Sequence, residues 1–189
     1  MNIEDCLREG LLVKQNPDGE KAELSVEMAE HKLGLAEQEF EHEIFENAIV
    51  TAYNAMFHAA RALLFRDGFK ERSHFAVYVF VNEKYGAKIE KKYLNELQSL
   101  RLYRHDLTYG LGKPAEIQET EADSAIKVAK GFIAAVKKTL EEKPQNKAVQ
   151  PQGSAAKRVN GGHKGRKGAL IIAFLANQPN IYFNIRLVD

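Results

Sequence analysis

Residues 44–66, IFENAIVTAYNAMFHAARALLFR, read as one helix that is apolar almost all the way round. Ala48, Ile49, Ala52, Ala55, Met56, Phe57, Ala59, Ala60, Leu63 and Leu64 fall on every side of a 3.6-residue period, so burying them takes several neighbours. The alanines allow those neighbours to approach closely. The helix stops at Asp67-Gly68, where glycine suits the left-handed residue that ends many helices. A chain built around such a rod is expected to be all-α, with the other helices each laying one face against it.

The flanking segments fit that expectation. From Glu20, the residues Ala22, Val26, Ala29, Leu33, Ala36 and Phe40 step by fours and threes and line one face of a helix. Ser73 is a suitable N-cap for a helix carrying Phe75, Val77, Tyr78, Phe80 and Val81 that ends near Tyr85-Gly86. The run VYVFV has strand-like composition, but no hairpin partner lies near it, so it is read as helical. A further helix from about Lys88 presents Ile89, Tyr93, Leu97 and Leu100 inward, and the same steps continue to Arg104 and Leu107. After Gly110-Leu111-Gly112-Lys113-Pro114, Thr120 with Asp123 resembles a capping box for a helix with the stripe Ala122, Ile126, Ala129, Ile133, Val136 and Leu140. Residues Ile3 to Val13 form a short helix on this reading, closed by the turn-forming cluster Asn16-Pro17-Asp18-Gly19. The expected architecture is an up-and-down bundle of four to five main helices with a short N-terminal helix and an irregular C-terminal tail.

The bundle should occupy 1–142 and the tail 143–189. A chain of 189 residues, 44% hydrophobic and 28% charged, needs no second domain. The net charge of +1 hides an uneven split. From Lys143 on there are eight Lys or Arg against one acid, leaving 19 basic and 25 acidic residues before it. The tail is thus the nonspecific anion binder by charge alone, and its Pro, Gln, Gly, Ser and Lys content is that of a disordered segment. Its end, Ala169 to Ala176 and then IYFNIRLV, is too short in apolar residues to span a bilayer. The single cysteine, Cys6, excludes an internal disulfide and a cysteine-based zinc site. The opening MNIEDCLREG is acidic where a signal peptide needs a basic start, so a cytoplasmic protein with no membrane partner is expected.

Two polar groupings interrupt this apolar plan. On the central helix, Asn54, His58 and Arg61 recur at four and three residues. Burying them costs several kcal/mol unless each finds a partner, water or a ligand, and Arg104 and Asp106 are the natural partners. A structural network such as Arg61 with Asp106 would satisfy the same pattern. The second grouping is Leu100 to Gly110, LRLYRHDLTYG, where Arg101, Arg104 and His105 stand beside Asp106, Tyr103 and Tyr109. His58 and His74 read individually as satisfied histidines near the core or a helix start. The six histidines show no HExxH or paired-ligand spacing, and there is no Gly-rich phosphate loop or serine-triad signature, so neither a metal nor a cofactor is expected.

Taken together, AYNAMFHAARALL (Ala52 to Leu64), SHFAVYVFV and RHDLTY (Arg104 to Tyr109), preceded by CLREGLL and KAELSVEMAEHKL, resemble the HEPN family, the higher-eukaryote and prokaryote nucleotide-binding domain. The resemblance is closest to a prokaryotic branch in which a tyrosine closes the motif, and it covers about Ile3 to Leu140. It implies a helical bundle, commonly a homodimer whose motif helices face each other across a cleft. It also implies an RNA- or nucleotide-binding role, metal-independent ribonuclease activity in many members, and toxin–antitoxin pairing with a small nucleotidyltransferase. An alternative is a non-catalytic helical module that pairs with such a nucleotidyltransferase.

The family motif is Arg, a polar residue, a short spacer, then His. Arg104 matches the arginine, His105 the polar position, and Tyr109 stands where the histidine belongs. Cleaving RNA without metal needs a base for the 2′-hydroxyl proton and a cation for the phosphorane. Arginine supplies the cation, but a tyrosine hydroxyl, titrating ordinarily near ~10, is a poor base. His105 projects about 100 degrees around the helix from Arg104, which limits the pair's reach to one phosphate. The candidate catalytic residues are therefore Arg104, His105 and Tyr109, and the candidate RNA- or nucleotide-binding residues are Asn54, His58, Arg61, Arg101 and Asp106.

Overall fold

The computed structural model describes residues 1–111 and 117–142, so the basic segment 143–189 and part of the loop after Gly110 lie outside the described residues. In chain order it consists of α1 (Ile3–Arg8), β1 (Leu12–Lys14), α2 (Gly19–Glu41), α3 (Phe45–Arg66), β2 (Phe69–Glu71), α4 (His74–Tyr85), α5 (Lys91–Tyr109) and α6 (Glu119–Glu141). Five main helices and a short N-terminal one make the all-α bundle that the sequence implied. None of these helices is long and apolar enough to cross a membrane.

Helix α3 is the rod at the centre, with thirteen of its 22 residues buried and with α2, α4, α5 and α6 all packed on it. Its most extensive partner is α2, and the reason is residue size. Ala22, Ala29 and Ala36 recur every seven residues on α2 and are 5%, 0% and 0% exposed, meeting the buried alanines of α3. Small side chains on both helices bring the backbones close and add dispersion contacts along the whole interface. On α6 the stripe Ala122, Ile126, Ala129, Ile133 and Val136 is buried as its periodicity required. The VYVFV run lies inside α4, whose N-cap is Ser73, its hydroxyl accepting from the Phe75 amide at 3.2 Å.

Two expectations are corrected. The N-terminal helix does not reach Val13; it ends at Arg8, and Gly10 adopts φ +70°, a left-handed turn that stops the helix. The freed segment Leu12–Lys14 becomes a strand, paired antiparallel with Phe69–Glu71 in the register Leu12 to Glu71, Val13 to Lys70 and Lys14 to Phe69. That partner lies far along the chain, beyond the reach of local periodicity. The other correction concerns α6, whose capping box is Gln118 with Glu121 rather than Thr120 with Asp123. Asp123 instead pairs with Lys127 one turn on.

The two-stranded ribbon clamps the chain before α2 onto the end of α3. The Gln15 amide donates to the Gly68 carbonyl at 2.8 Å and the Asp18 amide to the Phe65 carbonyl at 2.9 Å. Gly68 has φ +77°, and a Cβ there would lie 2.6 Å from the Gln15 carbonyl oxygen. Glycine is needed at this point on both counts. The ribbon in turn places Glu71 and the start of α4 beside the polar stripe of α3.

Candidate nucleic-acid interface

Three elements converge on one basic and aromatic surface. Helix α3 brings Tyr53, Phe57, His58 and Arg61; the start of α4 brings His74 and Phe75; α5 brings Arg101 and Arg104. His74 is the first residue of α4 and lies half-buried at the middle of the group. The Tyr53 hydroxyl is 2.7 Å from its Nδ1. The Phe57 ring stacks on it with centroids 3.9 Å apart and an interplanar angle of 11°. Next to it, Phe75 has the Arg101 guanidinium 5.4 Å above its ring.

The arginines differ in how they are satisfied. The Nε of Arg61 lies 2.7 Å from a Glu71 carboxylate oxygen, and its guanidinium also sits over the Phe57 and Phe65 rings. Arg61 is therefore an internally neutralised cation. Arg101 donates to Gln98 one turn back at 3.1 Å. Arg104 is half-buried, its guanidinium stands 5.5 Å over the Tyr109 ring, and its Nε is buried with no hydrogen-bond partner among the described residues. A buried donor with no acceptor is uncommon and calls for a ligand, water or another chain.

Electrostatics keep the histidines of this surface neutral. Burial depresses the titration of His74, and the positive charges of Arg104, Arg101 and Arg61 depress it further. Burial likewise pulls His58 down to about 4, helped by Arg61, Lys32 and His74. Burial pushes Tyr53 up to about 12 against the opposing pull of Arg101 and Arg104, so its hydroxyl stays protonated. The result is a basic surface carried by Arg101 and Arg104, with neutral hydrogen-bonding groups beside them.

The proposed site residues are distributed unevenly over this surface. Arg104, Arg101 and Arg61 all lie near enough to His74 for their charges to depress its titration. His58 faces the other way as well, into a groove of about 280 Å³ between α2 and α3 with Ser25, Met28 and Arg61. Asn54 is half-buried on the same helix. His105 and Asp106 are exposed, their side chains 64% and 80% accessible, and they pair with each other at 3.6 Å. The expected pairing of Arg61 with Asp106 does not form; Glu71 takes that place because the β-ribbon delivers it to α3. Helix α5 stays intact through Tyr109, so His105 is not at a frayed end and remains on a different face from Arg104. Tyr109 is 60% exposed beside His105, with ring centroids 5.3 Å apart.

Sequence reasoning missed Tyr53, Phe57 and Glu71 and took His74 for a structural residue. The only local signal for His74 was its place just after the Ser73 cap, at the start of a helix. A cavity of about 370 Å³ between α5 and α6, lined by Tyr103 and Glu121, holds none of these arginines. Among the described residues no group of three or more His, Cys, Asp or Glu is placed to hold a metal ion.

Comparison with known proteins gives the same family that the motifs resemble. A family model described as HEPN domain matches residues 22–139. A Methanocaldococcus jannaschii protein named "Putative toxin MJ0605" is 34% identical over 129 residues, covering 65% of this chain and 91% of that protein. A UPF0332 protein of Archaeoglobus fulgidus is 30% identical over 112 residues, covering 59% of this chain and 86% of its own length.

Proposed function

The chain belongs to the HEPN domain family, and on that footing we propose that it is an RNA- or nucleotide-binding protein of the toxin–antitoxin type. The observation that carries this reading is the crowding of Arg61, Arg101 and Arg104 around a neutral His74 on an aromatic floor. Guanidinium groups bind phosphate oxygens through forked donors, so this surface matches the chemistry of a nucleic acid backbone or nucleotide phosphate. The toxin designation of the Methanocaldococcus jannaschii relative supports the biological setting. In that setting the protein works as a homodimer partnered by a small nucleotidyltransferase, in the cytoplasm. The basic segment 143–189 adds nonspecific attraction to the same polyanion.

Metal-independent RNA cleavage at Arg104 is the enzymatic form of this reading, with His105 or Tyr109 handling protons. A non-catalytic pairing module is the second form, and the exposure of His105 on a different face of α5 from Arg104 favours it. The test is to express wild type, Arg104→Ala and Tyr109→Phe and to follow growth arrest together with RNA integrity under chelation. RNA breakdown and growth arrest lost in Arg104→Ala support the toxin nuclease. RNA binding without breakdown supports the pairing module, and wild type that neither binds RNA nor slows growth overturns the proposal.

A further inference from the structure

Tyr53 is only 1% exposed, so its hydroxyl hydrogen must be donated within the protein. Among the described residues its hydrogen-bond partner is Nδ1 of His74. A protonated phenol is a strong donor and a weak acceptor, whereas the bare nitrogen of a neutral imidazole is a strong acceptor. Tyr53 therefore donates, Nδ1 accepts, and the neutral His74 ring carries its own hydrogen on Nε2. The Phe57 stack holds the ring plane. Among the described residues that Nε2–H makes no hydrogen bond.

The groups around it are donors too. Arg104 has a buried Nε without an acceptor among the described residues, and Arg101 stands over Phe75, the residue after His74. Arg61 is paired with one carboxylate oxygen of Glu71, and the other oxygen of Glu71 makes no hydrogen bond to Arg101, Arg104 or His74 among the described residues. Asp106, the acid of the Leu100–Gly110 stretch, is exposed and turned toward His105. Arg101 and Arg104 have no carboxylate partner among the described residues, and such donors are complementary to an anion with several oxygens, which two guanidinium groups and one N–H can share.

The geometry points to a phosphate-binding site in which His74, fixed by Tyr53 as an Nε2–H donor, acts together with Arg101 and Arg104. The assignment rests on the RNA-or-nucleotide reading and deepens it by naming the group recognised, a phosphate mono- or diester, and a ligand on α4 that lies outside the α5 motif. It also gives His74 a defined role: with its hydrogen on Nε2 it binds phosphate and does not abstract a proton.

The test uses the full chain and fluorescence anisotropy with a labelled oligouridylate, with inorganic phosphate and UMP as competitors. His74→Ala should weaken oligouridylate binding about tenfold, the effect of losing one hydrogen bond to a charged group. His74→Gln, whose side-chain amide can place an N–H near the position of Nε2, should recover most of that loss. Phosphate and UMP should compete less well against His74→Ala than against wild type. Circular dichroism melts of each variant separate lost folding from lost binding. A long-range proton–nitrogen spectrum of wild type should show the Nε2–H form of His74; the Nδ1–H form overturns the assignment. It is also overturned if folded His74→Ala binds as wild type while Arg104→Ala does not, an outcome that leaves the RNA reading intact. Direct binding of UMP that depends on His74, measured by isothermal titration calorimetry, without any binding of oligouridylate would keep the phosphate site and sink the RNA reading.

Discussion

The hydroxyl of Tyr53 and Nδ1 of His74, 2.7 Å apart, join the middle of α3 to the first residue of α4. Because Tyr53 is buried, this contact serves the bundle as well as the surface above it. Tyr53→Phe keeps the packed ring and removes only the donor, leaving His74 to find its acceptor's partner in water. The expected cost is about 0.5–1.5 kcal/mol, read as a lower urea midpoint with an unchanged m-value. No change in midpoint would mean that the hydrogen bond contributes nothing net to stability.

The depressed titration of His58 fixes a pH dependence and its sign. Above pH ~6.5 the ring is neutral in both the folded and unfolded chains. As pH falls from ~6.5 toward about 4, the unfolded chain takes up a proton that the folded one resists. Stability therefore declines across that window and levels off below it, with His74 contributing in the same direction. His58 is half-exposed, so solvent screening limits its share to about 1–2 kcal/mol. Urea titrations at pH 7 and pH 5 should show this decline in wild type and a smaller one in His58→Gln. An equal decline in both proteins would remove His58 as its source.

Arg61 and Glu71 form a partly buried pair, their side chains 25% and 11% accessible. Truncating the arginine leaves a carboxylate with little access to water, which costs more than the pair itself gains. Arg61→Ala should destabilise by about 1–3 kcal/mol, and the double variant with Glu71→Gln should recover part of that loss. Thermal melts of the two singles and the double measure the coupling. A double variant as unstable as the sum of its singles would show that the two side chains are independent.

The sequence disclosed the helices because their apolar residues repeat at helical spacing, and α3 most plainly because it is apolar on every side. It disclosed Arg104 as an inward position by continuing the stripe Leu97 and Leu100. It did not disclose the ribbon of β1 and β2, since three-residue strands carry no usable periodicity and pair across more than fifty residues of chain. Missing the ribbon meant missing Glu71, and with it the true partner of Arg61. The contact of Tyr53 with His74 was hidden for a related reason: both residues read as ordinary members of their own helices, and only the crossing of α3 with α4 makes them a pair.

The ribbon also yields a stability prediction at Gly68. Its left-handed backbone and the Gln15 carbonyl 2.6 Å from where a Cβ would stand leave no room for alanine. Gly68→Ala should destabilise by about 1–3 kcal/mol through backbone strain and displacement of the segment before α2. Hydrogen exchange should then be faster at the Gln15 and Asp18 amides, which donate to the Gly68 and Phe65 carbonyls in the wild type. Unchanged protection at those amides would show that the clamp tolerates a side chain.

Two neighbours on α5 separate a phosphate contact from a bystander charge. Among the described residues Arg104 is half-buried with no partner for its Nε, whereas the Asp106 side chain is 80% accessible and pairs with His105. If Arg104 holds a phosphate, Arg104→Ala releases one fewer counterion on binding. The slope of log affinity against log salt for single-stranded RNA should then become shallower by ~0.7. Asp106→Asn removes a local repulsion without removing a contact, so it should leave that slope unchanged and alter affinity by less than about threefold. Anisotropy titrations over a salt series measure both variants on the same axis. Equal slopes for wild type and Arg104→Ala would mean that Arg104 touches no phosphate, whatever the change in affinity.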